Sequence, residues 1–192
     1  MEARPEDAQR LTKGNPQITQ IVCVICGWFQ VKNMAMKIGT EMPRLEGATE
    51  WFGGTQAHVE SEIAGHPTLV HFWSVSCGIC KDNLPRVGEW RDEKKKHGLR
   101  VVAVHMPRYE TDTDVDQVRE LIAKYGITEP VAVDNEHKLK DAFHNTQGFV
   151  PAYYLFDAEG KLKSFAAGER GLDMLKSALE RLLPVEEAVV TG

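Results

Sequence analysis

The chain has 192 residues. At roughly 100–200 residues per domain, this leaves room for one domain and an extension and excludes a second full enzyme domain. Its 42% hydrophobic and 27% charged residues are typical of a soluble globular protein with a true core. The net charge is −5, and the basic residues form no extended patch apart from Lys94, Lys95 and Lys96, so we expect no nucleic-acid partner.

The first 35 residues differ in pattern from the rest. Residues 1–14 mix acidic and basic side chains and lack the basic start and apolar core of a secretory signal. The apolar run at 21–29 is far shorter than the ~20 residues that cross a membrane, so we expect no membrane association. We predict a weakly ordered extension over 1–35, a folded domain over 36–184 and a flexible tail over 185–192. Met34 and Met36 offer alternative starts, which would leave the extension outside the native protein.

The folded part opens with two short elements and a strongly patterned region. Residues 51–54 are predicted to close a small hairpin, and residues 58–64 to form a short helix. Residues 68–75 are rich in β-forming side chains and predict a buried strand. A helix over 79–96 should follow, kinked at Pro85 and ended by Gly98.

The remaining elements alternate between strands and helices. Strands are predicted at 99–105, 131–133, 152–156 and 161–167, and helices at 115–125, 138–143 and 172–183. The alternation favours parallel pairing with right-handed crossovers, whereas the turn at 157–160 favours an antiparallel hairpin. The expected fold class is α/β, with a central mixed sheet flanked by helices on both faces.

The four cysteines form two Cys-x-x-Cys pairs, Cys23–Cys26 and Cys77–Cys80. Cys77 lies directly after a predicted strand and before a predicted helix, where free backbone amides and the helix dipole stabilise a thiolate. Cys80 follows one helical turn later and can attack a mixed disulfide formed on Cys77. This placement predicts a redox pair with Cys77 as the nucleophile and Cys80 as the resolving cysteine, and no cofactor is expected.

A zinc site is the alternative interpretation of the same cysteines. Cys23, Cys26, Cys77 and Cys80 together could stabilise a zinc-dependent binding module, but zinc ribbons commonly separate their pairs by about 15–20 residues, far fewer than here. Cys23–Cys26 alone has no strand–helix junction around it and is interpreted as a pair of inert or adventitiously oxidising thiols. We predict no metal at the redox pair.

Several separate motifs resemble the thioredoxin fold. Those of the active-site segment are Trp73, Cys77-Gly78-Ile79-Cys80, Lys81 and Pro85, and Val150-Pro151 with Gly168 is similar to that fold's cis-proline loop and closing hairpin. Three stretches are similar to the TlpA/ResA branch: those at 71–77, 102–108 and 150–154.

The resemblance implies a thiol–disulfide oxidoreductase of the bacterial cytoplasm, a monomer that acts in cell redox homeostasis. Its partners would be protein disulfides or dithiols and an upstream redox protein. The resemblance also implies an insertion within about 110–145 and a cis bond before Pro151, which would lie beside the disulfide. Gly78, Ile79 and the backbone of Val150 would then meet the substrate, with Trp73 as a platform under the active-site loop.

Four residues depart from the family pattern or leave two interpretations open. His71 replaces a buried acid of thioredoxins; it either takes over that group's role as a base or is a neutral, hydrogen-bonded core histidine, which burial favours. Lys81 either lowers the thiol pKa through its charge or is simply solvated. Asn83 stands where ResA-type members carry a glutamate, so their acid-tuned behaviour is not expected. Ser76 replaces a common tryptophan and should open the surface beside Cys77.

Overall fold

The computed structural model describes residues 35–184, in which six strands form one mixed sheet. The strands are β1 (Glu50–Phe52), β2 (Thr68–Trp73), β3 (Arg100–His105), β4 (Val131–Val133), β5 (Ala152–Phe156) and β6 (Leu162–Ala167). Their order in the sheet is β1-β4-β3-β2-β5-β6. The pairs β2/β3 and β3/β4 are parallel and the other three pairs are antiparallel, which confirms the predicted mixed sheet.

Five helices lie among these strands, and each was predicted to within two residues at either end. They are α1 (Gln56–Ile63), α2 (Gly78–Lys94), α3 (Val115–Tyr125), α4 (Lys138–Ala142) and α5 (Gly171–Leu182). Capping residues determine where some of these helices begin and end, and α3 is an example. The Asp114 side chain accepts hydrogen bonds from the first-turn amides of α3, and Gly126 ends the helix in the left-handed conformation.

The alternation of β2 divides the core between the two faces of the sheet. Val70 and Phe72 point into a cluster that also contains side chains of α1 and α4. Leu69 and Trp73 point to the opposite face, where α2, α3 and α5 supply the apolar partners. Helices therefore cover both faces, as predicted, and β2 is buried along its whole length.

The predicted small N-terminal hairpin at 51–54 is wrong. β1 pairs antiparallel with β4, and Trp51 lies opposite Ala132. After Gly54 the chain does not turn back into a second strand, because the Thr55 side chain caps the start of α1. The apolar pair Trp51-Phe52 thus indicated a strand but not its partner, which lies about 80 residues away in the chain.

The predicted insertion region, 110–145, contains a 3₁₀ turn (Glu110–Thr113), α3, β4 and α4.

Among the residues described, no helix is both long and apolar enough to span a bilayer. The extension over 1–35 and the tail over 185–192 lie outside the described residues except for Ala35, so these domain bounds stay predictions.

Candidate active site

A disulfide joins Cys77 and Cys80 at the point where β2 ends and α2 begins. Cys77 is the N-cap of α2, with extended backbone angles, and its Sγ accepts a hydrogen bond from the Cys80 amide at 3.1 Å. The Cα atoms of the two cysteines are 5.3 Å apart, an ordinary separation for a bridged pair. Both cysteines therefore occupy the strand–helix junction that the sequence predicted.

The loop before β5 faces this disulfide. The Val150–Pro151 peptide bond is cis, as the resemblance implied. The carbonyl oxygen of Val150 lies 3.7 Å from Cys77 Sγ, and the Pro151 carbonyl accepts the amide of Gly168. The backbone of Val150 is thus placed beside the sulfur at which a substrate would react.

The surface around the disulfide is open although the sulfur atoms are not. Cys77 is 3% exposed and Cys80 is 2% exposed, whereas Ile79 between them is 42% exposed. Phe149, next to Val150, is 47% exposed. Gly78 is also exposed, so uncovered glycine and apolar surface directly follows Cys77 in the chain. The assignment of Gly78, Ile79, Val150 and Pro151 to substrate binding stays a prediction.

Trp73 is buried in the same apolar cluster as Cys77 and Cys80. Its ring meets the His105 ring edge to face, with centroids 5.1 Å apart. This position fits the predicted platform under the active-site loop, a role that stays a prediction. Lys81 is half-buried and its amide donates to the Cys77 carbonyl, and both interpretations of its side chain stay predictions.

His71 lies in a buried charge network that the sequence did not reveal. Its Nε2 is 3.0 Å from Oε1 of Glu129, and Arg91 Nη1 donates to the other oxygen of Glu129 at 2.6 Å. Burial alone would raise the pKa of Glu129, but the contact with His71, a backbone hydrogen bond and the hydrogen bond from Arg91 bring it down to about 2. His71 is buried and hydrogen-bonded, and both interpretations of it, a neutral core histidine and a base, stay predictions.

A second buried acid, Asp112, was also missed. Its Oδ2 accepts the hydroxyls of Ser74 and Ser76, each at 2.7 Å, and the backbone amides of Arg108 and Tyr109 at 2.9 and 3.3 Å. Burial opposes ionisation, but these hydrogen bonds hold the pKa of Asp112 below its ordinary value. The carboxylate therefore fixes the segment that leads into Cys77. The repeated serine before Cys77 was the one sequence signal that could have pointed to it.

Two more side chains near the site, His105 and Asn83, form hydrogen bonds with residues around it. His105 Nε2 accepts the amide of Val75 at 3.4 Å, and burial lowers the pKa of His105 to about 4, so the ring is neutral near pH 7. Asn83, which replaces the glutamate of ResA-type members, donates to the Tyr153 hydroxyl at 3.0 Å. Burial raises the pKa of Tyr153 to about 12, so this contact contributes no charge at neutral pH.

Nothing in the described residues supports the zinc-stabilised module. Cys77 and Cys80 are bonded to each other, and a disulfide sulfur is not the thiolate that zinc requires. Cys23 and Cys26, the other two proposed ligands, lie outside the described residues. Within 35–184, no group of three or more His, Cys, Asp or Glu side chains is placed to hold a metal ion.

Fold and site together define a thioredoxin-like thiol–disulfide oxidoreductase whose cysteine pair, Cys77–Cys80, lies at a helix N-terminus. The chain belongs to the AhpC/TSA family, whose family model matches residues 38–165.

Similar proteins agree with this class. The chain is 46% identical over 152 residues to the thiol-disulfide oxidoreductase YkuV of Bacillus subtilis, a match that covers 79% of this chain and 100% of YkuV. It is 25% identical over 158 residues to the thiol-disulfide oxidoreductase ResA of Bacillus thuringiensis, covering 82% and 85% of the two chains. A solved structure described as a thioredoxin-like protein in the oxidized form matches with a TM-score of 0.69 and 46% identity, covering 77% of this chain and 97% of that one. The resemblance to the TlpA/ResA branch is confirmed.

Proposed function

We propose that the protein exchanges electrons with protein substrates by passing a disulfide between its Cys77–Cys80 pair and a cysteine pair of the substrate. The observation that carries this proposal is the position of Cys77 Sγ. It accepts an amide of the first turn of α2 on one side and lies beside the Val150 carbonyl on the other. A thiolate is stabilised at such a helix N-terminus, and the same atom is the one that a substrate disulfide would meet.

The exchange takes two displacement steps. In the reduced protein, the Cys77 thiolate attacks one substrate sulfur, so the substrate disulfide breaks, a mixed disulfide forms and one substrate thiolate leaves. Deprotonated Cys80 then attacks Cys77 Sγ, which forms the Cys77–Cys80 bond and expels the second substrate thiolate. Two electrons pass to the substrate, and the protons lost by Cys77 and Cys80 are balanced by those taken up by the substrate thiolates. The reverse sequence oxidises a substrate dithiol.

Trapping of the intermediate tests the assignment of roles. Cys80→Ser should leave a stable mixed disulfide between Cys77 and a disulfide substrate, because the resolving thiol is absent. Cys77→Ser should form no such adduct, and both variants should lose the reduction of insulin in the presence of a dithiol donor. Mass spectrometry of the trapped species identifies the bonded cysteine. Wild-type turnover by Cys77→Ser would contradict the proposal.

The cellular setting is part of the same proposal. The protein acts as a cytoplasmic monomer, is reduced again by an upstream dithiol protein, and contributes to redox homeostasis and antioxidant defence. The low cysteine content supports the location, because secreted disulfide scaffolds are rich in cysteine. Cell fractionation and light scattering of the full chain test location and oligomeric state. A periplasmic location or a stable dimer would contradict this part alone and leave the chemistry of Cys77 unaffected.

A further inference from the structure

A cavity of about 350 Å³ lies between the segment after β3 and the loop before β5, and two cationic side chains line it. Arg108 and Lys140 are its charged lining residues, and His137 adds a third nitrogen-bearing side chain. None of the residues that line it is acidic, although the whole chain carries a net charge of −5. We refer to it as the Arg108–Lys140 cavity. Its size is at the lower end of the range for small-ligand sites and suits a single side chain or a small anion.

The cations of this cavity are available to a ligand. Within residues 35–184, neither Arg108 nor Lys140 forms an ion pair with a carboxylate. The Arg108 guanidinium lies 5.4 Å from the centre of the exposed Tyr109 ring, a contact that leaves its N–H groups free to donate. His137 Nε2 lies 3.0 Å from the Pro107 carbonyl, so this nitrogen is already engaged.

The nearby buried acids are already satisfied by other donors. Oδ2 of Asp112 receives four hydrogen bonds, two of them from serine hydroxyls. Asp134 is buried beneath α4 and accepts the amides of Leu139 and Lys140. These carboxylates therefore hold the backbone around the cavity and leave its cationic side chains unpaired.

Two chain segments connect the cavity to Cys77. Gly148 lines the cavity, and two residues later the Val150 carbonyl lies 3.7 Å from Cys77 Sγ. On the other segment, the Arg108 amide and the Ser76 hydroxyl share Oδ2 of Asp112, and Ser76 directly precedes Cys77. A chain advances by about 3.3–3.6 Å per residue, so we expect a group about two or three residues from a reacting substrate cysteine to come within reach of the cavity.

We propose that the Arg108–Lys140 cavity binds a carboxylate of the substrate and so makes this protein selective for disulfides that have an acidic group nearby. The inference rests on the proposed function and names its substrate class. In an acidic protein, a local cationic cavity near the nucleophile opposes the general repulsion of anionic substrates. The recognised group is a carboxylate, which either an acidic peptide side chain or a small anionic disulfide can supply.

The test compares disulfide peptides that differ at one position. Three peptides carry Glu, Gln or Lys three residues from the reacting cysteine, and the reduced full-length protein reduces each under identical conditions. We expect second-order rate constants in the order Glu, Gln, Lys, with roughly a threefold difference per step at low salt. The differences should shrink at high salt, because screening weakens contacts between exposed charges. Glutathione disulfide serves as the small anionic substrate, and 2-hydroxyethyl disulfide as the neutral one.

The matched variants separate local from overall charge. Arg108→Gln combined with Lys140→Gln should abolish the preference for the Glu peptide. Lys96→Gln combined with Arg181→Gln removes the same two charges from exposed positions outside the cavity lining and should preserve the preference. If glutathione disulfide responds like the Glu peptide, the cavity accepts small anions as well as acidic side chains, which also supports the proposal.

Two results would overturn the inference. Equal rates for the three peptides, with normal reduction of 2-hydroxyethyl disulfide, would refute the cavity's role while the thiol chemistry stands. An equal loss of preference in both double variants would assign the effect to net charge and refute the site. A failure to reduce any of these disulfides would instead count against the proposed function itself.

Discussion

At the scale of single residues, Asp112 joins the segment that leads into Cys77 to the segment after β3. One carboxylate oxygen holds two serine hydroxyls and two backbone amides. Ser76 was predicted to open the surface beside Cys77, and it is exposed, but its hydroxyl is also held by this acid. The small side chain of Ser76 therefore leaves the surface beside Cys77 uncovered, and its hydrogen bond to Asp112 holds the backbone that leads into Cys77.

Asp112→Ala should lower the free energy of unfolding by about 3 kcal/mol, because it leaves several donors without an acceptor, including the buried hydroxyl of Ser74. Asp114→Ala is the matched control, since it also removes one negative charge but only the N-cap of α3, a loss of about 1 kcal/mol. Urea unfolding at pH 7 measures both. Equal losses in the two variants would show that the Asp112 contacts contribute no more than a helix cap.

At the scale of elements, the start of α2 places the two cysteines in different surroundings. Cys77 is the N-cap, and its sulfur receives an amide of the first turn, whereas Cys80 lies inside the helix and is equally buried. The helix end stabilises negative charge at its cap, and burial without such a partner raises a thiol pKa. Two cysteines three residues apart therefore acquire different chemistry from one element.

In the reduced protein, we expect the pKa of the Cys77 thiol to lie below the ~8.5 of a free cysteine and below that of Cys80. The pH dependence of iodoacetamide alkylation measures each thiol separately. Cys80→Ser isolates Cys77, and Cys77→Ser isolates Cys80. A Cys77 thiol that titrates at or above the free value would remove the helix terminus as the source of its reactivity.

The same scale shows where sequence patterns succeed. α3 was predicted with its observed bounds, because apolar residues, Val118 among them, recur at helical spacing. Asp114 and Gly126 cap the two ends of this stretch. β1 was placed in a hairpin that does not exist, because three residues identify a strand but carry no information on its partner. Periodicity and capping are local properties of the chain, and strand pairing is not.

At the scale of the whole molecule, the His71–Glu129–Arg91 network ties three parts of the fold together. His71 belongs to β2, Arg91 to α2 and Glu129 to the segment before β4. The Glu129 carboxylate is buried and bonded on both oxygens, and its ionised form is favoured more strongly in the folded protein than in the unfolded chain. Its protonation therefore opposes folding.

This network predicts a defined loss of stability in acid. The pKa of Glu129 falls from 4.5 to about 2 on folding, so its contribution is fully present above 4.5 and is lost as the pH falls towards 2. The lost stability is about 3 kcal/mol. Glu129→Gln should be less stable than the wild type at pH 7, and the difference should narrow across this range in urea unfolding experiments. Glu136→Gln, at an exposed ion pair with Lys138, is the control and should change little. A constant difference between pH 6 and 2.5 would contradict the assignment.

The sequence by itself determined the elements, the mixed sheet and the placement of Cys77–Cys80, because strand, helix and cap signals act over a few residues. The cis bond before Pro151 followed from family resemblance, since few X–Pro bonds in folded proteins are cis. Only the tertiary structure decided the partner of β1, the acid that holds Ser76 and the carboxylate that meets His71. Those contacts join residues 36 and 58 positions apart, whose proximity depends on how the elements assemble. The Arg108–Lys140 cavity has the same origin, because its cations come from separate segments that meet only in the folded chain.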